Sequence, residues 1–437
     1  MKTIVAVIQA GGLGTRMKEL TGDKIPKPML EMNGKPMLQW QIEALINFNI
    51  TEIVIIVGHL GEKICSYFGD GTAYGIKINY IVERELLGSG GSLYYLKDYP
   101  ADDYLFIFGD VLFDMDIHRL ISFHRKREGM VTLVSHPNNH PYDSDLLITD
   151  RCDAVIGFLW KKEKRENCYS NLVNSGISIF SKKVIDEIEV VSRMDYEKDI
   201  VQKYIHSGGV FSYRTSEYIK DTGTPERFRQ AAYEQEKGIC ERSNLRNKQK
   251  CVFLDRDGTV NELRGLISDP IQFELCGGAS EAIKLLNASG ILAIVVTNQP
   301  VVARGLCSEE DVRAIHSKME MLLGAQGAFL DDIAFCPHHP DKGFPEENPA
   351  YKIPCTCRKP ATGLIDKMVQ KYNISLSESY IVGDTTVDMK TGENAGMHTV
   401  LLRTGEAGKD KKYDVKPEII ADDLLAAVKE ILRREGL

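Results

Sequence analysis

The chain has 437 residues, of which 43% are hydrophobic and 27% charged, with a formal net charge of −8. That length exceeds one ordinary hydrophobic core and predicts two or three domains of a soluble globular enzyme. The acidic balance without a basic block excludes nucleic acid and a polybasic membrane anchor as partners, and no apolar run reaches the ~20 residues of a membrane-spanning helix.

The N-terminal MKTIVAVIQAGG is short, lacks a small-residue cleavage site and runs into a glycine loop, so it is expected to be a first β-strand rather than a signal peptide, in a cytoplasmic protein. Further strands are predicted at Ile53–Val57, Ile76–Ile81, Tyr104–Phe108 and Met130–Ser135, with an amphipathic helix over Met37–Phe48. In the second half, strands are predicted at Cys251–Leu254, Leu292–Thr297, Tyr380–Val382 and Thr399–Leu402, with a helix at Ser280–Ser289. Alternating β and α implies parallel sheets with both faces covered and ligands at the strands' carboxyl ends. The predicted fold is α/β, with two Rossmann-like three-layer α/β/α domains at 1–235 and 250–437. The polar, charged stretch between them gives a linker at 236–249.

Six pieces of the first half have the chemistry of a nucleotide site. QAGGLGTR follows the first strand; Gly11, Gly12 and Gly14 permit close backbone approach to phosphate, and Arg16 neutralises it. The spacing is not the G-x-G-x-x-G of a dinucleotide fold. In IPKPML the prolines stiffen a loop from which Lys27 reaches a triphosphate. ELLGSGGSL offers Gly88 for approach to a flat base, and FIFGDVLF ends a strand in Asp110, a candidate Mg²⁺ ligand. DTGTPERF adds a second acid, Asp221, and NSGISIF sets Asn174 and Ser175 beside a strand.

In order, these motifs resemble the sugar-1-phosphate nucleotidyltransferases, heptose and mannose guanylyltransferases among them, over residues 1–235. The resemblance implies attack by a sugar 1-phosphate on the α-phosphate of an NTP with release of pyrophosphate. Arg16 and Lys27 would bind the phosphates, and Asp110 and Asp221 would hold Mg²⁺. The family often has E-K-P after the central strand; here FLWKKEK puts Trp160 where glutamate is expected and leaves Lys161 for the lysine. Glu197, in EKD, resembles a sugar-side element of the mannose- and heptose-type members.

In the second half, CVFLDRDGTV delivers Asp255 and Asp257 from the end of a hydrophobic strand, and residues two apart in an extended segment face one side. Two such carboxylates suit a shared Mg²⁺, one attacking phosphorus and the other handling the leaving-group proton. VVTNQ ends another strand in the hydroxyl of Thr297 and the amides of Asn298 and Gln299, suited to phosphoryl oxygens; RKP supplies Arg358 and Lys359; YIVGDTTVDM ends a strand in Asp384, with Asp388 following. This set resembles the haloacid dehalogenase superfamily over Lys250 to Leu402. The resemblance makes Asp255 the nucleophile, Asp257 the general acid/base, Thr297 and Lys359 phosphoryl stabilisers and Asp384 a Mg²⁺ ligand, with the Asp257 backbone carbonyl a further one and Asp388 in a supporting role.

Most of the ten cysteines lie singly in apolar runs, as Cys65 and Cys251 do, and read as reduced packing residues. CPHHP and CTC differ: C-x-H then C-x-C gives Cys336, His338, Cys355 and Cys357 as a closed structural Zn²⁺ set, with His339 the weaker candidate. A metal there would position the adjacent Arg358–Lys359 pair. The loop resembles the subgroup containing histidinol-phosphate phosphatase and heptose 1,7-bisphosphate phosphatase, with departures at Pro300–Val301 and Leu263–Leu266.

The two chemistries fit one sequence: removal of the 7-phosphate from heptose 1,7-bisphosphate, then nucleotidyl transfer, with GTP the expected donor, to the heptose 1-phosphate. Expected partners are sugar phosphate and NTP; a homo-oligomer stays open. Two other readings stay open as well: a different sugar paired with a histidinol-phosphate-like phosphatase, and one domain serving only as a sensing or scaffolding module.

Overall fold

The computed structural model describes residues 2–437 except 166–167, 342 and 344–345. The chain forms two compact units. The first comprises Met1–His136, Leu147–Leu159 and Asn174–Asn244; the second comprises Pro137–Leu146, Trp160–Val173 and Leu245–Leu437. Both are α/β. Among the described residues no helix is long and apolar enough to cross a membrane.

The main sheet of the first unit runs Val155–Leu159, Leu146–Thr149, Val173–Ser181, Asp103–Phe108, Ile4–Gln9, Glu52–Val57, Lys77–Val82 in spatial order. Ile4–Gln9 is apolar at nearly every position because it lies mid-sheet with both faces covered. Its pairings with Glu52–Val57 and Asp103–Phe108 are parallel, as is that of Glu52–Val57 with Lys77–Val82. The all-parallel expectation stops there, for Val173–Ser181 runs antiparallel to Asp103–Phe108. Register sets Gln9 opposite Phe108, so the glycine loop and Asp110 leave the sheet side by side. The helix Met37–Ile46 buries Met37, Leu38, Gln41, Ile42 and Leu45 on one face. Its buried Gln41 amide donates to the carbonyls of Phe108 (3.0 Å) and Val111 (2.6 Å), pinning the backbone on either side of Asp110.

Residues 236–249, expected as a linker, are partly structured. Ile239–Arg242 is a short helix whose Cys240 packs with Met17, Phe228 and Ala231, and Leu245 is buried in the core of the second unit. Cys240 and Leu245 anchor a stretch that is polar at most of its other positions.

The second unit has a six-stranded sheet in the order Asp332–Cys336, Leu292–Asn298, Cys251–Leu254, Tyr380–Gly383, His398–Leu402, Ile419–Ala421, every pairing parallel. Alternate residues of its strands enter two separate cores: Val252, Leu254, Ala293 and Val295 one, Cys251, Phe253, Ile294 and Val296 the other. That alternation is the sequence-level cause of the three layers, since each face needs its own helices. Leu254 is in register with Val295 and Val382, so Asp255, Thr297 and Asp384 emerge from one edge.

Candidate active sites

In the first unit a cavity of about 430 Å³ opens at the carboxyl ends of the parallel strands. Gly11, Gly12, Gly14, Arg16, Lys27, Gly88 and Asp110 all line it. Lys27 Nζ lies 2.7 Å from Asp110 Oδ2. Asp221 pairs across an antiparallel ladder with Val111, next to Asp110, and accepts from Arg227 Nη1 and the Gly223 amide, each at 2.6 Å. Asp110 lines the cavity and Asp221 does not, and each is held by a cationic side chain; carboxylates at such a place suit Mg²⁺ brought in with a nucleotide. Side-chain room at Gly11 is already taken, because a Cβ there would clash with the Glu83 carboxylate. Glu83 also hydrogen-bonds the Ser92 hydroxyl, and burial pushes its carboxyl above the usual range.

The Leu87–Gly90 loop is clasped by a distant segment. Gly90 N donates to Met194 O and Met194 N to Leu87 O, both at 2.9 Å, and Tyr196 N donates to Ser89 Oγ at 2.8 Å. Gly88 has φ +76°, and a Cβ on it would strike the Met194 carbonyl, so close approach as well as backbone sign requires glycine. The clasping segment continues into the helical turn Tyr196–Val201 with Glu197, which accepts from Asn174 Nδ2 at 3.3 Å. Asn174, Glu197 and Lys161 do not line the cavity. Lys161 belongs to the second unit, its ammonium 3.8 Å from Asp145 Oδ2.

At the sheet edge of the second unit, Lys359 Nζ sits between Asp255 Oδ1 (2.7 Å) and Asp388 Oδ1 (2.5 Å). Burial alone depresses this ammonium, but the two carboxylates outweigh it and hold it above its ordinary value. One oxygen each of Asp255, Asp384 and Asp388 lie within 4.8 Å of one another. Burial and then the Asp255 charge push Asp384 up to about 8, and burial pushes Asp255 up to about 6 against the pull of Lys359. Asp384 Oδ2 accepts from the Glu406 amide at 2.7 Å, while its buried Oδ1 has no hydrogen-bond partner among the described residues. Three clustered carboxylates, two of them on one ammonium and the third with an orphaned oxygen, fit a hard divalent cation held by Asp255 and Asp384. Asp388 is otherwise engaged: it caps the helix Thr386–Ala395 and holds Lys359.

Asp257 is held by Gln299 Nε2 (2.8 Å), which also reaches Thr297 Oγ1 (2.9 Å). Asn298 spends its amide on the backbone of Lys359, accepting from its N–H (2.9 Å) and donating to its carbonyl (3.1 Å), so it positions the lysine.

Cys336, His338, Cys355 and Cys357 converge, with Sγ–Sγ distances of 3.6, 3.2 and 3.3 Å and His338 Nδ1 3.3 Å from Cys357 Sγ. Ligand separations around tetrahedral Zn²⁺ with ~2.3 Å sulfur bonds are about 3.8 Å, so the donor set and its spacing fit that ion. His339 turns away, its Nδ1 accepting from the Asp341 amide at 3.2 Å. Arg358 Nη1 donates to the His338 carbonyl at 3.1 Å, tying the phosphate-side pair to the cluster.

Residues 5–238, more than half of the chain, match the nucleotidyl transferase family. The chain belongs to the nucleotidyl transferase family. Residues 356–427 match the HAD-hydrolase-like family, so the nucleotidyl transferase is joined to a HAD-type phosphatase, and the chain is an enzyme with both activities. The phosphatase half is 39% identical over 179 residues to a D-glycero-β-D-manno-heptose-1,7-bisphosphate 7-phosphatase of Haemophilus ducreyi, covering 40% of this chain and 96% of that one. The nucleotidyl transferase half is 31% identical over 244 residues to a mannose-1-phosphate guanylyltransferase of Mycobacterium tuberculosis, covering 55% of this chain and 67% of that one. A solved structure of HddC from Yersinia pseudotuberculosis, complexed with GMP-PN, is similar at 27% identity and a TM-score of 0.47, over 54% of this chain and all of that one.

Sequence reasoning missed Gln9, Glu83 and Arg193 of the nucleotidyl transferase cavity. Gln9 was legible as the last residue of a buried strand that ends in an amide. Arg193 has no local signal, for only the clasp at Met194 brings it to the cavity.

Proposed function

We propose that the chain is a bifunctional enzyme of nucleotide-activated heptose synthesis, working in the cytoplasm. It removes the 7-phosphate of D-glycero-D-manno-heptose 1,7-bisphosphate and transfers GMP from GTP to the resulting 1-phosphate. The observation that carries the reading is the union in one chain of complementary sites: one strips a phosphate to leave a sugar 1-phosphate, the other has the chemistry that consumes one.

In the phosphatase, an Asp255 oxygen bonds to phosphorus as the ester P–O bond breaks, and the Asp257 carboxyl gives its proton to the leaving oxygen. Water then attacks the aspartyl phosphate, its proton passing to Asp257, and Asp255 and inorganic phosphate are released. Lys359 and Thr297 balance the phosphoryl oxygens. Mg²⁺, held by Asp255, the Asp257 carbonyl and Asp384, supplies further charge neutralisation when bound. Cys336, His338, Cys355 and Cys357 would hold a structural Zn²⁺, which would keep Arg358 and Lys359 in place.

In the nucleotidyl transferase, Arg16 and Lys27 hold the triphosphate, with Asp110 and Asp221 to carry Mg²⁺. The sugar-phosphate oxygen bonds to the α-phosphorus as the bond to pyrophosphate breaks, which demands alignment rather than a covalent protein intermediate. Asn174 and Glu197 are assigned to the sugar phosphate. Guanine is favoured by two acceptors on the cavity wall: the Glu83 carboxylate and Gln9 Oε1, a buried oxygen with no hydrogen-bond partner among the described residues. Guanine offers an N1–H and an N2 amino group to such a wall. Adenine's Watson–Crick edge offers only its amino group, and uracil and thymine a single N–H.

Incubation with heptose 1,7-bisphosphate and each NTP, following phosphate, pyrophosphate and nucleotide-sugar, tests the reading. Phosphate release without pyrophosphate for any NTP would refute the coupled function.

A further inference from the structure

Arg256, between the two motif aspartates, is 1% exposed and among the largest fully buried side chains of the chain. Its Nη2 donates to both carboxylate oxygens of Asp257 at 2.9 Å, and Nη1 faces His316 Nε2 at 3.4 Å. Asn261 Nδ2 donates to Asp257 Oδ1 at 3.1 Å. A buried guanidinium is costly unless paired, and apolar residues of similar volume stabilise a core as well or better, so its presence calls for a use beyond packing. The asymmetry of the pair points to that use. The Arg256 side chain is sealed at 1% exposure while that of Asp257 is 20% exposed, so the arginine grips from behind a carboxylate that reaches the site. Asp257 needs the grip because it lies beyond its strand, in a turn where Gly258 has φ +79°. Its backbone meets Asn261 in an isolated bridge outside the sheet, and its carboxylate is aimed by side-chain donors.

We propose that Arg256 is a positioning residue that holds Asp257 in line with the leaving-group oxygen, an inference that rests on the phosphatase reading above. His316, buried against Phe335 and kept neutral by burial and by the charges of Arg256 and Arg313, backs the guanidinium with an acceptor nitrogen.

The consequence is specific to leaving groups. As Asp255 bonds to phosphorus and the ester P–O bond breaks, a poor leaving group needs the Asp257 proton and a good one departs as the anion. In the holoenzyme, kcat/KM reports this first step alone, so 4-nitrophenyl and phenyl phosphate, alike in shape but different in leaving-group acidity, separate the two cases. Arg256→Lys keeps the charge and loses the fork. We expect its kcat/KM to fall about tenfold further for phenyl than for 4-nitrophenyl phosphate, a part of the ~10²–10⁴ that general acids contribute. On an Asp257→Asn background the same substitution should have no added effect on phenyl phosphate. Equal falls for both esters, or a full effect on the Asp257→Asn background, would overturn the proposal and leave Arg256 a packing residue. If Arg256→Lys does not fold, Asn261→Ala removes another donor from the same carboxylate, and selective loss or equal loss decides in the same way. Wild-type enzyme that hydrolyses neither ester would sink the phosphatase reading, and the proposal with it.

Discussion

Removing divalent metal from the phosphatase unit should make its stability fall as pH rises through the range where most proteins are steady. Asp384 is pushed from 3.8 to about 8 by burial and by the Asp255 charge, and Asp255 to about 6. A folded-state pKa above the unfolded one means that the folded chain keeps a proton which the unfolded chain releases. Stability is therefore lost progressively from about pH 4 up to pH 8. At ~1.4 kcal/mol per pKa unit, the rise at Asp384 has a ceiling of about 6 kcal/mol, and water entering the site reduces what is felt. Mg²⁺ competes with that proton, so it should stabilise strongly at pH 8 and weakly at pH 5. The measurement is thermal unfolding with EDTA and with Mg²⁺ across pH 5–8, reading the difference between the two curves. Asp384→Asn, which removes the titrating group, should flatten both the EDTA slope and the Mg²⁺ gain. A Mg²⁺ gain equal at pH 5 and pH 8, or an EDTA midpoint that climbs across the range, would refute the assignment of Asp384 as the strained acid of the site.

Asp255→Asn should abolish phosphate release and leave pyrophosphate release from heptose 1-phosphate and GTP unchanged, measured in parallel assays. Replacing Cys355 and Cys357 by serine together should remove about one zinc per chain by elemental analysis and lower phosphatase kcat by loosening Lys359; zinc retained at full stoichiometry would rule out this site. Glu83→Gln should reduce the kcat/KM preference for GTP over ATP by roughly 10–100-fold, the ~1.5–3 kcal/mol of a hydrogen bond to a charged group. An unchanged preference would place guanine recognition elsewhere.

Much of both sites was legible because strand ends carry the chemistry and strands announce themselves. CVFL, LAIVV and YIV are apolar runs, which a doubly covered parallel strand buries, and each delivers a polar residue to one edge. The convergence of Cys336, His338, Cys355 and Cys357 could be read from spacing, since a closed metal set dictates its own pattern. The antiparallel strand Val173–Ser181 was not legible, because strand direction depends on connections made far away. Arg193 and the clasp were hidden for the same reason: their hydrogen bonds join residues some hundred positions apart and leave no periodic trace. The positioning duties of Asn298 and Gln299 follow from hydrogen bonds that composition cannot assign.

The three hydrogen bonds that stitch Leu87–Gly90 to Met194–Tyr196 have a thermodynamic consequence. The loop against the base and the segment leading to Glu197 cannot stiffen independently. Whichever substrate arrives first bears the loss of conformational freedom for both, and the second meets a partner surface already quiet. The two ligands should then bind cooperatively through the clasp in addition to their own contact, and linkage makes the gain mutual: GTP should tighten the sugar phosphate by the same factor by which the sugar phosphate tightens GTP.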